Sequence, residues 1–179
     1  MPKKGLVQVY TGSGKGKTTA ALGLALRAAG WGKKVIIYQF LKPPALKLGE
    51  RKAITKSKLP IKIEAVDVEW NMLGKKDKKT LKRICDKVNQ TCKEIQTIAQ
   101  KGKYDLIILD EIIYCLSKKL VSLQCIKNII KSKKSNVEII LTGRGATKEL
   151  INLADLVTEM KEVKHPFRKN IKARKGIEY

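Results

Sequence analysis

Short apolar runs alternate with longer amphipathic stretches from one end of this chain to the other. Leu6 to Tyr10, Lys34 to Phe40, Ile61 to Val66, Leu106 to Asp110, Val137 to Thr142 and Leu156 to Met160 read as strands. Several are apolar at successive positions, which is the pattern of a parallel strand buried on both faces. Between them, Lys17 to Ala29 is rich in Ala and Leu and stops at Gly30, as a helix does. Asp77 to Gln100 places Leu81, Ile84, Cys85, Val88, Cys92, Ile95 and Ala99 at spacings of about three and four residues, the stripe of a helix lying on a sheet. Val121 to Lys131 and Thr147 to Ala154 predict two shorter helices. Leu41 to Pro60 and Asp67 to Lys76 carry no period, being broken by Pro43, Pro44, Gly49 and Gly74. In an open parallel sheet such loops flank the ligand crevice. The alternation, with no internal repeat, predicts one α/β domain over residues 1–179, its mostly parallel sheet covered by helices on both faces.

Composition narrows the class. With 43% hydrophobic and 31% charged residues the chain is globular rather than disordered. No apolar run approaches the roughly 18 residues of a membrane span, and no signal-peptide core follows the N-terminal Met-Pro-Lys-Lys-Gly, so no membrane partner and a cytoplasmic location are expected. The four cysteines, Cys85, Cys92, Cys115 and Cys125, form no C-x-x-C pair, and His165 is the single histidine. They read as reduced core thiols rather than a zinc site. The net charge of +23 would suit nucleic acid, but 33 of the 39 cations are lysines scattered along the chain, and aromatics are 5%. Dedicated phosphate and base readers favour arginine forks and stacking rings, so nucleic acid is not the expected partner. The charge does favour a small polyanionic substrate.

The sharpest chemistry lies in Thr11-Gly12-Ser13-Gly14-Lys15-Gly16-Lys17-Thr18-Thr19, between a strand and a helix. Glycines there let backbone N–H groups turn inward around an anion, Lys17 reaches phosphate oxygens and the Thr18 hydroxyl suits Mg²⁺. The G-x-x-x-x-G-K-[ST] pattern would have glycine where this chain has Thr11. Independent support comes from Leu106-Ile107-Ile108-Leu109-Asp110-Glu111, an apolar strand ending in two carboxylates, as a Mg²⁺-orienting Walker B strand does. Together the motifs define a P-loop nucleotide-binding protein, most of which hydrolyse or transfer a γ-phosphoryl group.

The variant loop Tyr10 to Ala21 resembles that of the ATP:corrinoid adenosyltransferases of the P-loop type. So do, in order, Gly32-Lys33-Lys34-Val35, Gln39-Phe40-Leu41-Lys42, Gly49-Glu50-Arg51, Leu109 to Tyr114, Leu141-Thr142-Gly143-Arg144-Gly145, Leu153 to Met160, Val163 to Phe167 and the terminal Gly176-Ile177-Glu178-Tyr179. The resemblance implies a RecA-like P-loop NTPase core. It implies transfer of the 5′-deoxyadenosyl group of ATP to the cobalt of a reduced corrinoid, with triphosphate released. Cobalt(I) is then the nucleophile, so the lack of a catalytic triad is no objection. In that family ATP lies across the loop in the reverse direction from ordinary P-loop ATPases, which a substitution at position 11 accommodates.

The same resemblance assigns Gly12, Ser13, Gly14, Lys15, Gly16, Lys17, Thr18 and Thr19 to the triphosphate and Thr18, Asp110 and Glu111 to Mg²⁺. Lys17, with Arg144, stabilises charge, the alternative for Arg144 being a surface cation on a turn. His165 is expected to shape a turn rather than act as a base. Trp70 is assigned to the corrin face, with buried packing as the alternative, and Val68 stands where the family usually has phenylalanine. A homodimer and an electron-donating flavoprotein partner are further implications. The competing readings are a P-loop phosphotransferase or NTPase and a RecA-like nucleic-acid-dependent ATPase; a type II thymidine kinase would bring zinc cysteines this chain lacks.

Overall fold

The computed structural model describes residues 4–68 and 77–179. Strands β1 (Val7–Thr11), β2 (Val35–Gln39), β3 (Ile61–Ala65), β4 (Leu106–Asp110), β5 (Glu138–Thr142) and β6 (Leu156–Glu159) form one all-parallel sheet in the order β3-β2-β4-β5-β1-β6. The strand that feeds the phosphate loop, β1, is therefore separated from the carboxylate strand, β4, by β5.

The two-residue period of each strand divides its side chains between two cores. From β4, Ile107 and Leu109 join the larger cluster with Ile84, Val88, Cys92, Ile95 and Ala99 of α3 (Lys78–Lys101) and Ile126 and Ile129 of α5 (Leu123–Ser132). Leu106 and Ile108 point the other way, onto Ala21 and Ala25 of α1 (Lys17–Gly30). Small alanines let α1 lie close to the sheet directly behind the phosphate loop. Each fully buried isoleucine in these clusters stabilises the fold by roughly 1.5–3 kcal/mol. Helices thus cover both faces, as the strand and helix alternation predicts.

Two short helices fall where periodicity gives no signal. The helix α2 (Gly49–Lys56) buries none of its residues, so it has no apolar stripe to read. The helix α4 (Ile112–Ser117) has six residues, too few to display a helical period, and buries Ile112, Ile113 and Cys115. The helix α6 (Lys148–Leu153) lies inside the predicted 147–154 segment. Cys92 and Cys115 are buried, Cys85 and Cys125 half-buried, and all four are free thiols. Among the described residues no helix is long and apolar enough to cross a membrane.

Candidate active site

The helices differ in how their first N–H groups are satisfied. Asp77 caps α3 by accepting from Thr80 N, Ser122 caps α5 by accepting from Cys125 N, and Thr147 caps α6 by accepting from Leu150 N. Like α2 and α4, α1 has no side-chain cap; its cap position is Gly16, at φ 118°, and its first turn holds no acidic residue. The first N–H donors of α1, and the positive end of its dipole, are left for an external anion. Gly12 also needs its glycine, since at φ 99° an added Cβ would meet the Met160 carbonyl.

Lys17 is buried and folds back over this loop, its Nζ donating to the carbonyls of Gly12 at 2.9 Å and Gly14 at 2.6 Å. Burial pushes its pKa below the usual lysine value, with the Arg144 charge acting the same way and the carboxylates of Glu111 and Asp110 opposing it. A cation so held sits inside the curve of the loop where phosphate oxygens would replace the carbonyls.

Opposite the loop, a closed network surrounds the buried Asp110 at the end of β4. Its Oδ1 accepts from Thr18 Oγ1 at 2.8 Å and from Thr142 Oγ1 at 2.7 Å, and its Oδ2 accepts from Lys42 Nζ at 2.6 Å. Lys42 Nζ also donates to Thr18 Oγ1 at 3.2 Å. Thr142, at the end of the intervening strand β5, accepts from Glu111 N at 3.0 Å, holding the backbone of the next residue as well.

Glu111 adopts φ 67°, the left-handed region that costs a non-glycine residue about 1–2 kcal/mol. Its carboxylate has no hydrogen-bond partner among the described residues. Burial pushes its pKa above the ordinary glutamate value, and the charge of Asp110 adds to this against the pull of Lys42, Lys17 and Arg144. A strained backbone holding an unpaired carboxylate beside a phosphate loop suits cation binding. Among the described residues no group of three or more His, Cys, Asp or Glu could hold a metal by itself. An ion here would be shared between Thr18, this carboxylate pair and nucleotide phosphates, the way Mg²⁺ is ordinarily held.

The departure at position 11 acquires a physical account. Thr11 is buried, and its Oγ1 accepts from Ala146 N at 3.3 Å, tying the phosphate loop to the turn that carries Arg144. That turn uses Gly143 at φ 138° and Gly145 at φ 83° to bring Arg144 to the mouth of the cleft. Gly14 to Thr19, Glu111, Tyr114, Arg144, His165 and Glu178 line one polar cleft, so six of the eight assigned loop residues, the exposed Arg144 and one of the two carboxylates converge. Lys15 and Thr19 are exposed there, and Ser13 Oγ accepts from Glu162 N at 3.3 Å, outside that lining. His165 caps a 3-10 helix, Pro166–Lys169, its Nδ1 accepting from Phe167 N at 3.1 Å, which is the turn-shaping role expected of it. Val68 is buried in the larger core beside Val66 and Ile84, and Trp70 lies outside the described residues.

Sequence reasoning assigned no role to Lys42, Thr142, Glu50 or Arg51. Arg51 binds Gln39 Oε1 at 2.7 Å and the carbonyls of Lys42 at 2.6 Å, Pro43 at 2.8 Å and Leu46 at 3.1 Å, while Glu50 Oε1 accepts from Gln39 Nε2 at 2.9 Å. The Gly49-Glu50-Arg51 block thus pins the loop that presents Lys42.

Residues 3–179 match the family model described as ATP:corrinoid adenosyltransferase BtuR/CobO/CobP. The chain is 33% identical over 181 residues to the corrinoid adenosyltransferase of Escherichia coli strain K12, covering 99% of this chain and 87% of that protein. It is 33% identical over 184 residues to the corrinoid adenosyltransferase CobA of Salmonella typhimurium, with the same coverage, and 31% identical over 180 residues to a Pseudomonas aeruginosa corrinoid adenosyltransferase, covering 99% and 85%. With the variant phosphate loop, the carboxylate strand beyond β5 and a match across nearly its full length, the chain belongs to the ATP:corrinoid adenosyltransferase family.

Proposed function

We propose that this protein transfers the 5′-deoxyadenosyl group of ATP to the cobalt of a Co(I) corrinoid. The observation that carries this reading, beside the family match, is the uncapped N-terminus of α1 beside the Lys17 ammonium, facing Glu111 across one cleft while Thr18 bonds Asp110. In the reaction the cobalt electron pair forms the Co–C5′ bond while the C5′–O bond breaks, and triphosphate leaves with the bonding pair. No side chain has to act as nucleophile or to take a proton. The protein supplies orientation and stabilisation of the leaving charge.

Each part of the cleft has a task in that scheme. Gly12 to Thr19 cradle the triphosphate, with Lys17 and the α1 dipole balancing charge that grows as C5′–O breaks, and Arg144 adding a cation at the rim. Mg²⁺, held by Thr18 and the Glu111 carboxylate with Asp110 orienting the hydroxyl, would neutralise phosphate oxygens. A second cavity of about 650 Å³ adjoins the loop at Gly14 and Lys15 and runs along the C-terminal segment past Phe167 and Ile177. Its size and apolar side chains suit the remaining organic part of a substrate. Val68 and Trp70 are assigned to the corrin face. A flavoprotein electron donor, a homodimeric assembly and a cytoplasmic location complete the proposal, supported by the family resemblance.

The test is product identification. Protein, MgATP and chemically reduced cobalamin should give adenosylcobalamin and triphosphate in equal amounts; ADP and phosphate would instead support phosphoryl transfer.

A further inference from the structure

The Lys42 ammonium occupies a position that the proposed mechanism reserves for something else. It lies 2.6 Å from Asp110 Oδ2 and 3.2 Å from Thr18 Oγ1, between the phosphate-loop hydroxyl and the strand-end carboxylate. Thr18 commits its single proton to Asp110 Oδ1 at 2.8 Å, so the hydroxyl faces Lys42 with a lone pair, the same lone pair a metal ion would use. A carboxylate that is 1% exposed is thereby paired with a cation of the chain's own.

We propose that Lys42 is a built-in counter-cation that holds the metal position of the nucleotide-free enzyme and yields it when metal arrives together with ATP. This rests on the reading of the cleft as a MgATP site. Two positive charges cannot share Thr18 and Asp110 at close range, so a free divalent ion is excluded while the ammonium is in place. ATP changes the balance by bringing phosphate oxygens that ligate the ion and also offer the ammonium a new anionic partner.

The surrounding structure is built for such a swing. Leu41, at φ 59°, turns the backbone sharply just before Lys42. The Lys42 carbonyl is clamped by Arg51 Nη2 at 2.6 Å, and Arg51 is itself fixed by Gln39 and by the Pro43 and Leu46 carbonyls. The main chain is therefore anchored, and the four-carbon stem, whose side chain is 20% exposed, is free to carry the ammonium a few ångströms toward the cleft. Thr18 and Asp110 keep their arrangement without the ammonium, since Thr18 Oγ1 and Thr142 Oγ1 both donate to Asp110 Oδ1.

The experiment is Mn²⁺ binding followed by electron paramagnetic resonance of the free aqua ion, on full-length wild type, Lys42→Met, Lys42→Gln and Lys42→Arg, each with and without ATP. Wild type and Lys42→Arg should leave the free-ion signal undiminished without ATP, and with ATP should lower it below that of a protein-free mixture of the same Mn²⁺ and ATP, since ATP alone also binds Mn²⁺. The two neutral variants should take up Mn²⁺ without nucleotide, at least tenfold more tightly than wild type. Equal nucleotide-free Mn²⁺ affinity in wild type and both neutral variants overturns the proposal. So does nucleotide-free uptake by wild type as tight as its uptake with ATP, a result that needs no variant to fold. Failure of wild type to bind Mn²⁺ even with ATP overturns the MgATP reading beneath it, and is distinct from either.

Discussion

Thr142 donates to Asp110 Oδ1 at 2.7 Å from the neighbouring strand, across 32 residues of sequence. The same hydroxyl accepts from Glu111 N, so one buried threonine on β5 orients the Asp110 carboxylate and holds the backbone of Glu111. Thr142→Val keeps the shape and removes the hydrogen bonds. It is expected to cost about 1–3 kcal/mol of stability, the penalty for leaving buried partners unsatisfied. It should also raise the Mg²⁺ concentration needed for half-maximal ATP binding. Thermal unfolding and calorimetric titration of ATP at several Mg²⁺ concentrations check both; unchanged metal dependence would mean that Thr142 does not position the pair.

Lys17→Ala removes a charge-assisted contact with phosphate and frees the Gly12 and Gly14 carbonyls. ATP binding should weaken by roughly 1.5–3 kcal/mol, about 10- to 150-fold, and turnover should be lost. Wild-type affinity in a calorimetric titration would contradict the assignment of Lys17 to the triphosphate.

Glu111 supplies a pH prediction. Its pKa is raised in the folded protein, so its effect on stability is most favourable below the unfolded glutamate value and is lost as pH rises through the folded value. Once ionised, the buried carboxylate is therefore a liability. Glu111→Gln should stabilise the nucleotide-free protein at pH 7 by roughly 0.5–2 kcal/mol, as relief of a strained functional site does. The advantage should shrink as pH falls toward the ordinary glutamate range, and Mg²⁺-dependent ATP binding should weaken. Melting curves from pH 4 to pH 8 measure this, and a pH-independent difference would show that Glu111 is not the titrating group.

Much of this architecture is legible in the sequence because it rests on periodicity and on local loop chemistry. The six strands, α1 and α3 follow from apolar runs and a helical stripe, and the phosphate loop is contiguous from Thr11 to Thr19. What stays hidden has one of two physical causes. The helices α2 and α4 lack an apolar period, the first because nothing on it is buried and the second because it is one and a half turns long. Lys42, Arg51 and Thr142 owe their roles to tertiary neighbours, since a lysine in a Pro-rich loop and a threonine ending a strand carry no local sign of Asp110. Their blocks, Gln39 to Lys42, Gly49 to Arg51 and Thr142 to Gly145, are visible only as family resemblance. Thr11 is the reverse case: an apparent defect in a motif that becomes a tether once Ala146 is placed beside it.

Val68 tests the least typical part of the family pattern. It is 3% exposed in the core against Ile84, so Val68→Phe should overpack and cost about 1–3 kcal/mol. A larger apolar side chain should nonetheless favour loss of the corrinoid's axial ligand. The variant is expected to raise the four-coordinate cob(II)alamin fraction seen by electron paramagnetic resonance with MgATP, while its ATP affinity stays unchanged. An unaltered spectrum would remove Val68 from the corrin face.

The central claim is that bond making occurs at C5′ of ATP and not at its γ-phosphorus. ATP labelled with ¹³C at the 5′ position, mixed with the protein, Mg²⁺ and chemically reduced cobalamin, separates these outcomes in one ¹³C and ³¹P NMR experiment. The account predicts a cobalt-bonded ¹³C resonance appearing in step with free triphosphate, one for one. Label retained in ADP, with inorganic phosphate as the second product, would contradict it.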